Sequence, residues 1–194
     1  MRVQPPTTDF HAEVSSSEFK KNGGGLEILQ LWLNLPARLK MTEPRYVDLQ
    51  QPDIPSLPLD EGCVMVNLIA GAWEGQQPAF KTLSEVTLST IFFRAGGELT
   101  IPVPAAHNIF FCVVRGALTV NGQAAEALHL VEFHNDGDSL HIQAGAADAV
   151  LLFGHAQPFD EPVVAQGPFV MNTEAEIQQA YDDYRRGKFG QWQH

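Results

Sequence analysis

The sequence contains few cysteines, and neither of them sits in a pattern of known chemistry. Cys63 and Cys112 are the only two, and both lie in apolar, strand-like stretches, where a free thiol behaves as a small buried hydrophobe. We therefore expect neither a disulfide framework nor a cysteine nucleophile.

Basic residues and long apolar runs are also scarce. Lys and Arg together number 12 against 23 Asp and Glu, which gives a formal net charge of −11. Because phosphate binding depends on Lys and Arg replacing counterions, this balance argues against direct nucleic-acid contact. No run approaches the roughly 18 apolar residues of a transmembrane helix, and the first ten residues, MRVQPPTTDF, lack the apolar region of a signal peptide. We expect a cytoplasmic protein without a membrane partner.

Composition changes along the chain predict its organisation. Residues 1–25 are polar and rich in Pro, Ser and Gly, which predicts an N-terminal arm. From Leu26 to Leu35 leucines alternate with other residues, which predicts a strand with a buried leucine face. Between residues 36 and 60 the prolines at 44, 52, 55 and 58 exclude a helix or a central strand, so this stretch is predicted to be an extended connector.

The rest of the chain is predicted to be a series of short strands closed by one helix. The predicted strands are Cys63–Ala70, Lys81–Phe93, Gly97–Val103, Asn108–Arg115, Leu118–Val120, Ala127–Phe133, Ser139–Ile142 and Ala149–Phe153. Asn121-Gly122 is the strongest hairpin signal, because a type I′ turn needs positive φ at both central residues. Many short antiparallel strands with tight turns indicate a sandwich or a small barrel.

The predicted helix carries start and stop signals. Thr173 and Glu176 form a capping box, and Arg185-Arg186 before Gly187 mark the C-terminal end. Between them Ile177, Ala180, Tyr181 and Tyr184 form an apolar stripe at helical spacing, and we interpret them as packing residues.

Three segments together resemble the pirin family of cupins. They are LQLWLNLPARLKMTEPRYVDL (29–49), IPVPAAHNIFFCVVRGALTVNG (101–122) and DEPVVAQGPFVMNTEAEIQQAYDDYRRGKFG (160–190). They occur in the family's order, and what they resemble is the C-terminal half of a pirin, a protein of two facing cupin barrels. The resemblance implies an all-β cupin fold, a double-stranded β-helix or jelly-roll barrel, with a C-terminal α-helix. The implied domains are an arm (1–25), one barrel that includes the connector (26–170), and a helix with a tail (171–194).

The resemblance also raises the question of iron. A pirin holds iron in its N-terminal barrel through a His-x-His pair and a His-x-Glu pair, and His11-Ala-Glu13 stands where the His-x-Glu pair is expected. No His-x-His occurs in the chain. A non-haem iron needs at least three protein ligands, so His11 and Glu13 are predicted to be half of a metal site.

The barrel itself departs from the general cupin metal motifs. With Gly116 as the final glycine of the first motif, Ile109 occupies the place of its glutamate. In the second motif Gln143 replaces the proline and Asp148 occupies the place of the histidine. Residues that could instead meet in a ligand pocket are His107, His141, Asp148 and His155, although satisfied polar residues at the barrel mouths are the alternative interpretation.

These residues lead to three hypotheses about the function of the protein. The first is a pirin-like binding or assembly module that needs no metal cofactor and forms a homodimer or binds another protein. The second is an iron-dependent enzyme resembling quercetin 2,3-dioxygenase, with its site completed by a second subunit or a partner. The third is a truncated product without activity. The residues do not identify a substrate, a ligand or a partner, and they leave open whether the protein is an enzyme.

Overall fold

A computed structural model describes residues 17–189 of this chain. These residues form two compact units. We call residues 49–158 the barrel unit, and residues 17–48 with 159–189 the terminal unit. The candidates His11 and Glu13 lie outside the described residues, and the boundaries predicted after residues 25 and 170 stay predictions.

The barrel unit consists of two antiparallel sheets. Its strands are β1 (Ser56–Leu59), β2 (Val64–Ala70), β3 (Thr87–Phe93), β4 (Glu98–Pro102), β5 (Asn108–Arg115), β6 (Ala117–Val120), β7 (Gln123–Glu126), β8 (Leu130–Val131), β9 (Ser139–Ala144) and β10 (Ala149–Ala156). One sheet has the order β1-β2-β3-β10-β5-β8, and the other has the order β4-β9-β6-β7. Short 3-10 helices cover Gln51–Asp53 and Asp60–Gly62. The predicted all-β architecture is confirmed.

One apolar core fills the space between these strands. Buried and more exposed residues alternate along β2, β4 and β9, as expected when successive side chains point to opposite faces of a sheet. Both sheets contribute their inward residues to a single cluster. Its fully or almost fully buried members include Val64, Val66, Leu68, Ile91, Phe93, Ile101, Phe111, Val113, Leu118, Val120, Ile142, Leu151 and Phe153.

The tight turns follow the sequence signals. Asn121 and Gly122 have φ of +47° and +81°, and Val120 pairs with Gln123 across the turn. The predicted type I′ hairpin is therefore confirmed as the connection between β6 and β7. Fixing this turn sets the register of the hairpin, because a slip of one residue would turn every side chain to the opposite face.

The prediction of a strand over Leu26–Leu35 is wrong. No strand of the described chain pairs with these residues, and most of their side chains, including Leu29 and Leu33, are exposed. Alternating leucines give a segment an apolar face, but a strand also needs a neighbouring edge that satisfies its backbone N–H and C=O groups. Without that edge, the leucine pattern alone does not fix the structure.

Other predicted boundaries also shift. The connector 36–60 contains β1 despite Pro58, because β1 is an edge strand, where a missing N–H is tolerated. The strand predicted from Lys81 begins only at Thr87, and the one predicted over Ala127–Phe133 is reduced to Leu130–Val131. Leu128, with φ of +67°, interrupts the latter.

The terminal unit contains two α-helices, one 3-10 helix and one hairpin among the described residues. Its elements are α1 (Ser17–Asn22), a 3-10 helix (Ala37–Leu39), β11 (Val164–Gln166), β12 (Phe169–Met171) and α2 (Glu174–Arg185). The predicted N-terminal arm thus ends in a short helix, which contains no buried residue. None of the helices within residues 17–189 is long and apolar enough to span a membrane. The cytoplasmic location stays a prediction.

The predicted helix is confirmed as α2. The Thr173 hydroxyl accepts a hydrogen bond from the Glu176 N–H at 3.2 Å, and the Glu176 carboxylate accepts one from the Asn172 N–H at 3.1 Å. Ile177 is buried, and Tyr181 packs edge-on against Phe169 with ring centroids 5.0 Å apart. The Thr173 cap is therefore confirmed, but the Glu176 carboxylate binds the N–H of Asn172 and not that of Thr173, which a capping box would require. The apolar stripe is confirmed at Ile177, Ala180 and Tyr181, whereas Tyr184 is 52% exposed and its ring lies against that of Phe189.

Candidate functional site

Two of the predicted pocket residues, His107 and His155, are in direct contact. His155 lies near the end of β10, where it pairs with Ile109 of β5 and with Thr87 of β3. His107 lies in the turn before β5, and its N–H donates to the Pro104 carbonyl at 2.9 Å. The two Nδ1 atoms are 2.9 Å apart and form a hydrogen bond. Strand register thus brings together two histidines that are far apart in the sequence.

Burial makes His155 a weak base. Loss of solvent and, as the smaller cause, the positive charge of a protonated His107 together lower the pKa of His155 from 6.5 to about 4. Desolvation disfavours the charged imidazolium, and a second charge at hydrogen-bond distance would repel it. His155 is therefore neutral at pH 7. Its ring also lies 5.7 Å from that of the core residue Phe153, centroid to centroid.

The lowered pKa predicts a loss of stability in acid. The unfolded chain binds a proton at His155 near pH 6.5, whereas the folded chain resists it until about pH 4. The free energy of unfolding should therefore begin to fall below pH 6.5, and the loss should be complete near pH 4. Because His155 is only partly buried, we expect a loss on the order of 2 kcal/mol rather than the full linkage value. Urea unfolding between pH 7 and pH 4 measures it.

Substitution isolates this contribution from that of other titrating groups. His155→Gln removes the proton site, so its stability should decline less steeply in acid than that of the wild type. His141→Gln is the control, because His141 is exposed on β9. Equal pH profiles for His155→Gln and the wild type would contradict the prediction.

The other two predicted pocket residues lie elsewhere in the barrel unit. Asp148 is in the turn between β9 and β10, where its Oδ1 accepts a hydrogen bond from the Ala95 N–H at 3.0 Å. It lines an open groove of about 500 Å³ together with Phe92, Arg94 and Arg115. The His141 Nδ1 lies 3.3 Å from the Thr100 hydroxyl oxygen on the neighbouring strand β4. Neither residue joins the histidine pair.

A smaller cavity of about 200 Å³ opens beside His107. Its apolar wall includes Val103, Ile109, Val120, Val131, Phe133 and Leu140. Its polar residues include His107, Asn121, Glu132, His134 and Asp136. The loop Phe133–Gly137 supplies part of this rim, and none of its residues is among the predicted pocket residues. The run of polar side chains in His134-Asn135-Asp136 was the available clue.

A non-haem iron would need at least three suitably placed donor groups from the protein. Within residues 17–189, no group of three or more His, Cys, Asp or Glu side chains is placed to hold a metal ion. At the cupin motif positions, Ile109 lies in β5, and Gln143 donates a hydrogen bond to Glu98. The described residues therefore do not by themselves fit a non-haem iron.

Comparison with known proteins decides the family. The Pirin C-terminal cupin domain family matches residues 89–190, slightly more than half of the chain. The chain belongs to the pirin family. Its relatives include Pirin-1 of Arabidopsis thaliana, 36% identical over 187 residues, which cover 93% of this chain and 62% of that protein. A pirin-like protein of Solanum lycopersicum is 36% identical over 178 residues, which cover 90% of this chain and 60% of that protein.

A solved structure confirms the fold. The crystal structure of quercetin 2,3-dioxygenase from Acinetobacter baumannii superposes with a TM-score of 0.77 at 35% identity. The match covers 82% of this chain and 55% of the other. The predicted cupin barrel with a C-terminal helix is thereby confirmed. The chain spans about 60% of the length of the curated relatives it matches.

Proposed function

We propose that this pirin-like chain acts as a binding and assembly module that forms a homodimer through residues 26–47. The observation that carries the proposal is a concentration of exposed large apolar side chains in this one segment. Its exposed members are Leu26, Ile28, Leu29, Trp32, Leu33, Met41, Tyr46 and Val47, with exposed fractions of 46–84%. Exposed apolar surface on this scale marks interaction sites in folded proteins.

The size of this surface suits a second copy of the chain. A large apolar or aromatic residue presents roughly 180 Å² when fully exposed, so these eight side chains offer on the order of 700–900 Å². A standard protein–protein interface buries about 800 Å² on each partner. A dimer in which each copy buries all eight of these side chains would therefore reach the size of a standard interface.

The composition of the segment favours such an interface. Trp32 and Tyr46 are among its exposed residues, and Trp and Tyr are enriched among residues that dominate binding energy. The 3-10 helix Ala37–Leu39 is held within the terminal unit, where the Ala37 N–H donates to the Glu161 carboxylate at 2.7 Å and the Lys40 ammonium donates to the Val170 carbonyl at 3.3 Å. Attachment at residues 37–40 limits the freedom that the apolar residues on either side would lose on binding.

A matched pair of substitutions tests the proposal. Leu33 is 51% exposed in the segment, and Leu83 is 47% exposed in the barrel unit. Leu33→Glu places a charge in the proposed interface and should weaken dimerisation at least tenfold, whereas Leu83→Glu should leave it unchanged. Sedimentation velocity over a dilution series measures the dissociation constant. Equal effects of the two substitutions, or none, would contradict the proposed interface.

A second candidate function is an iron-dependent dioxygenase. It is favoured by the 35% identity to the quercetin 2,3-dioxygenase from Acinetobacter baumannii. On this proposal His11 and Glu13 supply two ligands, and a second subunit or a partner completes the site. Elemental analysis of protein purified without chelators tests it. Iron near one per chain or one per dimer, lost in His11→Ala, would favour the enzyme, and iron indifferent to His11 would exclude this site.

A further inference from the structure

We propose that the cavity beside His107 binds a small organic amine, with His107 as the polar anchor and His155 as the residue that positions His107. This site goes beyond the proposed assembly function and does not depend on it. Two independent features carry it: an apolar cavity at one end of the barrel unit, and a histidine whose ring is fixed by a second, neutral histidine.

The walls of the cavity suit an apolar body of limited size. Val103, Val120 and Leu140 are buried, and Ile109 is partly buried. The volume of about 200 Å³ corresponds to roughly seven water molecules at about 30 Å³ each. One aromatic ring with a short substituent fits this volume, whereas pockets for drug-sized molecules begin at about 300 Å³.

The histidine pair gives the cavity a directed polar group. The Nδ1 of His107 is engaged with the Nδ1 of His155, so Nε2 is the ring nitrogen through which His107 can meet a ligand. Because each ring nitrogen of a histidine can donate or accept, depending on the tautomer, the hydrogen bond between the two Nδ1 atoms can run in either direction. When the Nδ1 of His107 donates, its Nε2 carries the lone pair and accepts from a ligand N–H. An amine in the cavity therefore selects this tautomer, and His155 supports it as the acceptor.

Charge at the rim selects a cation over an anion. Glu132 and Asp136 line the cavity, and the lining residues in the described part of the chain include no Lys or Arg. His134 also lines it and is exposed to solvent. Two carboxylates near an apolar wall attract an ammonium group and repel a carboxylate ligand. The negative charge of the rim and the acceptor nitrogen of His107 thus both favour an organic amine as the ligand.

Three probes of one size test the proposal by titration in ¹H–¹⁵N NMR spectra at pH 7.5. Benzylamine is the cation, benzyl alcohol the neutral analogue and benzoate the anion. We expect saturable shifts for benzylamine at residues of the cavity wall, with a dissociation constant of about 1 mM. Benzyl alcohol should bind at least threefold more weakly, and benzoate should cause no saturable shift.

Variants assign the binding to the named residues. His107→Leu should weaken benzylamine binding at least tenfold, and the matched control His141→Leu should not change it. Gln123→Trp, at the exposed mouth of the cavity, should abolish binding without altering the core. Side-chain ¹⁵N shifts should show His107 protonated at Nδ1 in the presence of benzylamine, and His155→Phe should remove this preference.

Several outcomes would overturn the site. One is the absence of saturable shifts when the benzylamine concentration reaches ten times the expected dissociation constant. The others are benzoate binding as tightly as benzylamine, and unchanged benzylamine binding in Gln123→Trp. Unchanged binding in a folded His107→Leu would overturn the role of His107. If His107→Leu fails to fold, the side-chain ¹⁵N shifts of His107 in the wild type test its role instead. Protonation of His107 at Nε2 in the benzylamine complex would contradict its role as a hydrogen-bond acceptor for the ligand.

Discussion

Phe93→Ala will lower the free energy of unfolding by about 3–5 kcal/mol, and Phe92→Ala will lower it by less than about 1.5 kcal/mol. The two residues are neighbours on β3, but Phe93 is 2% exposed and Phe92 is 40% exposed. Phe93 belongs to the core of the barrel unit, whereas Phe92 faces outward. Truncating Phe93 removes its burial energy and leaves a cavity that a close-packed interior fills only in part.

This pair of substitutions tests the inward and outward faces of β3 directly. Both variants remove the same atoms from the same strand, so differences in strand propensity cancel. Urea unfolding followed by circular dichroism gives both free energies. If Phe92→Ala proved as destabilising as Phe93→Ala, the assignment of the buried face would be wrong.

Gly116→Ala will destabilise the barrel unit by about 3 kcal/mol or more, whereas Gly122→Ala will cost about 1 kcal/mol. Both glycines have positive φ, +75° and +81°, so both substitutions carry the strain of a left-handed residue. At Gly116 a Cβ atom would also lie 2.3 Å from the Asp148 carbonyl oxygen and 2.8 Å from the Ala149 Cα. At Gly122 nothing lies within 4 Å. The difference between the variants is thus the steric contribution alone.

The contact at Gly116 involves backbone atoms, which explains why the expected effect is large. A flexible side chain could rotate away from a new Cβ, but the Asp148 carbonyl belongs to the turn that leads into β10. Relief would require movement of that turn. Thermal unfolding of both variants measures the difference, and equal melting temperatures would show that the turn yields without cost.

Much of the fold could be predicted because its signals are local. Asn121-Gly122 specifies a turn that few other residues adopt, and Thr173 with Glu176 specifies a helix start. The alternation of apolar and polar residues along β2 and β9 identifies the face of each strand that is buried. The burial of Phe93 and Phe111 follows the same period of two residues.

The segment Leu26–Leu35 shows where local reasoning fails. Its alternation is as regular as that of a real strand, but strand formation depends on a partner edge that no local pattern encodes. The same exposed leucines now support the proposed interface. In the proposed dimer this leucine pattern would mark a face that is buried between the two copies, although it does not form a strand within one chain.

The histidine pair could not be predicted for a different reason. His107 and His155 were each candidates, but so were His141 and Asp148, and nothing in their spacing distinguishes them. Only the pairing of β5 with β10, where His155 lies opposite Ile109, brings the first two together. The cavity beside them depends on the loop after β8, whose position is set by the tertiary structure and by no local pattern.

We propose that this chain assembles with a second copy of itself, and its molar mass in solution tests this proposal most directly. Size-exclusion chromatography with light scattering on the wild-type chain at micromolar concentration should give twice the mass of one chain. On dilution the mass should fall toward that of one chain, as for a reversible dimer. A monodisperse species with the mass of a single chain at every concentration would contradict the account.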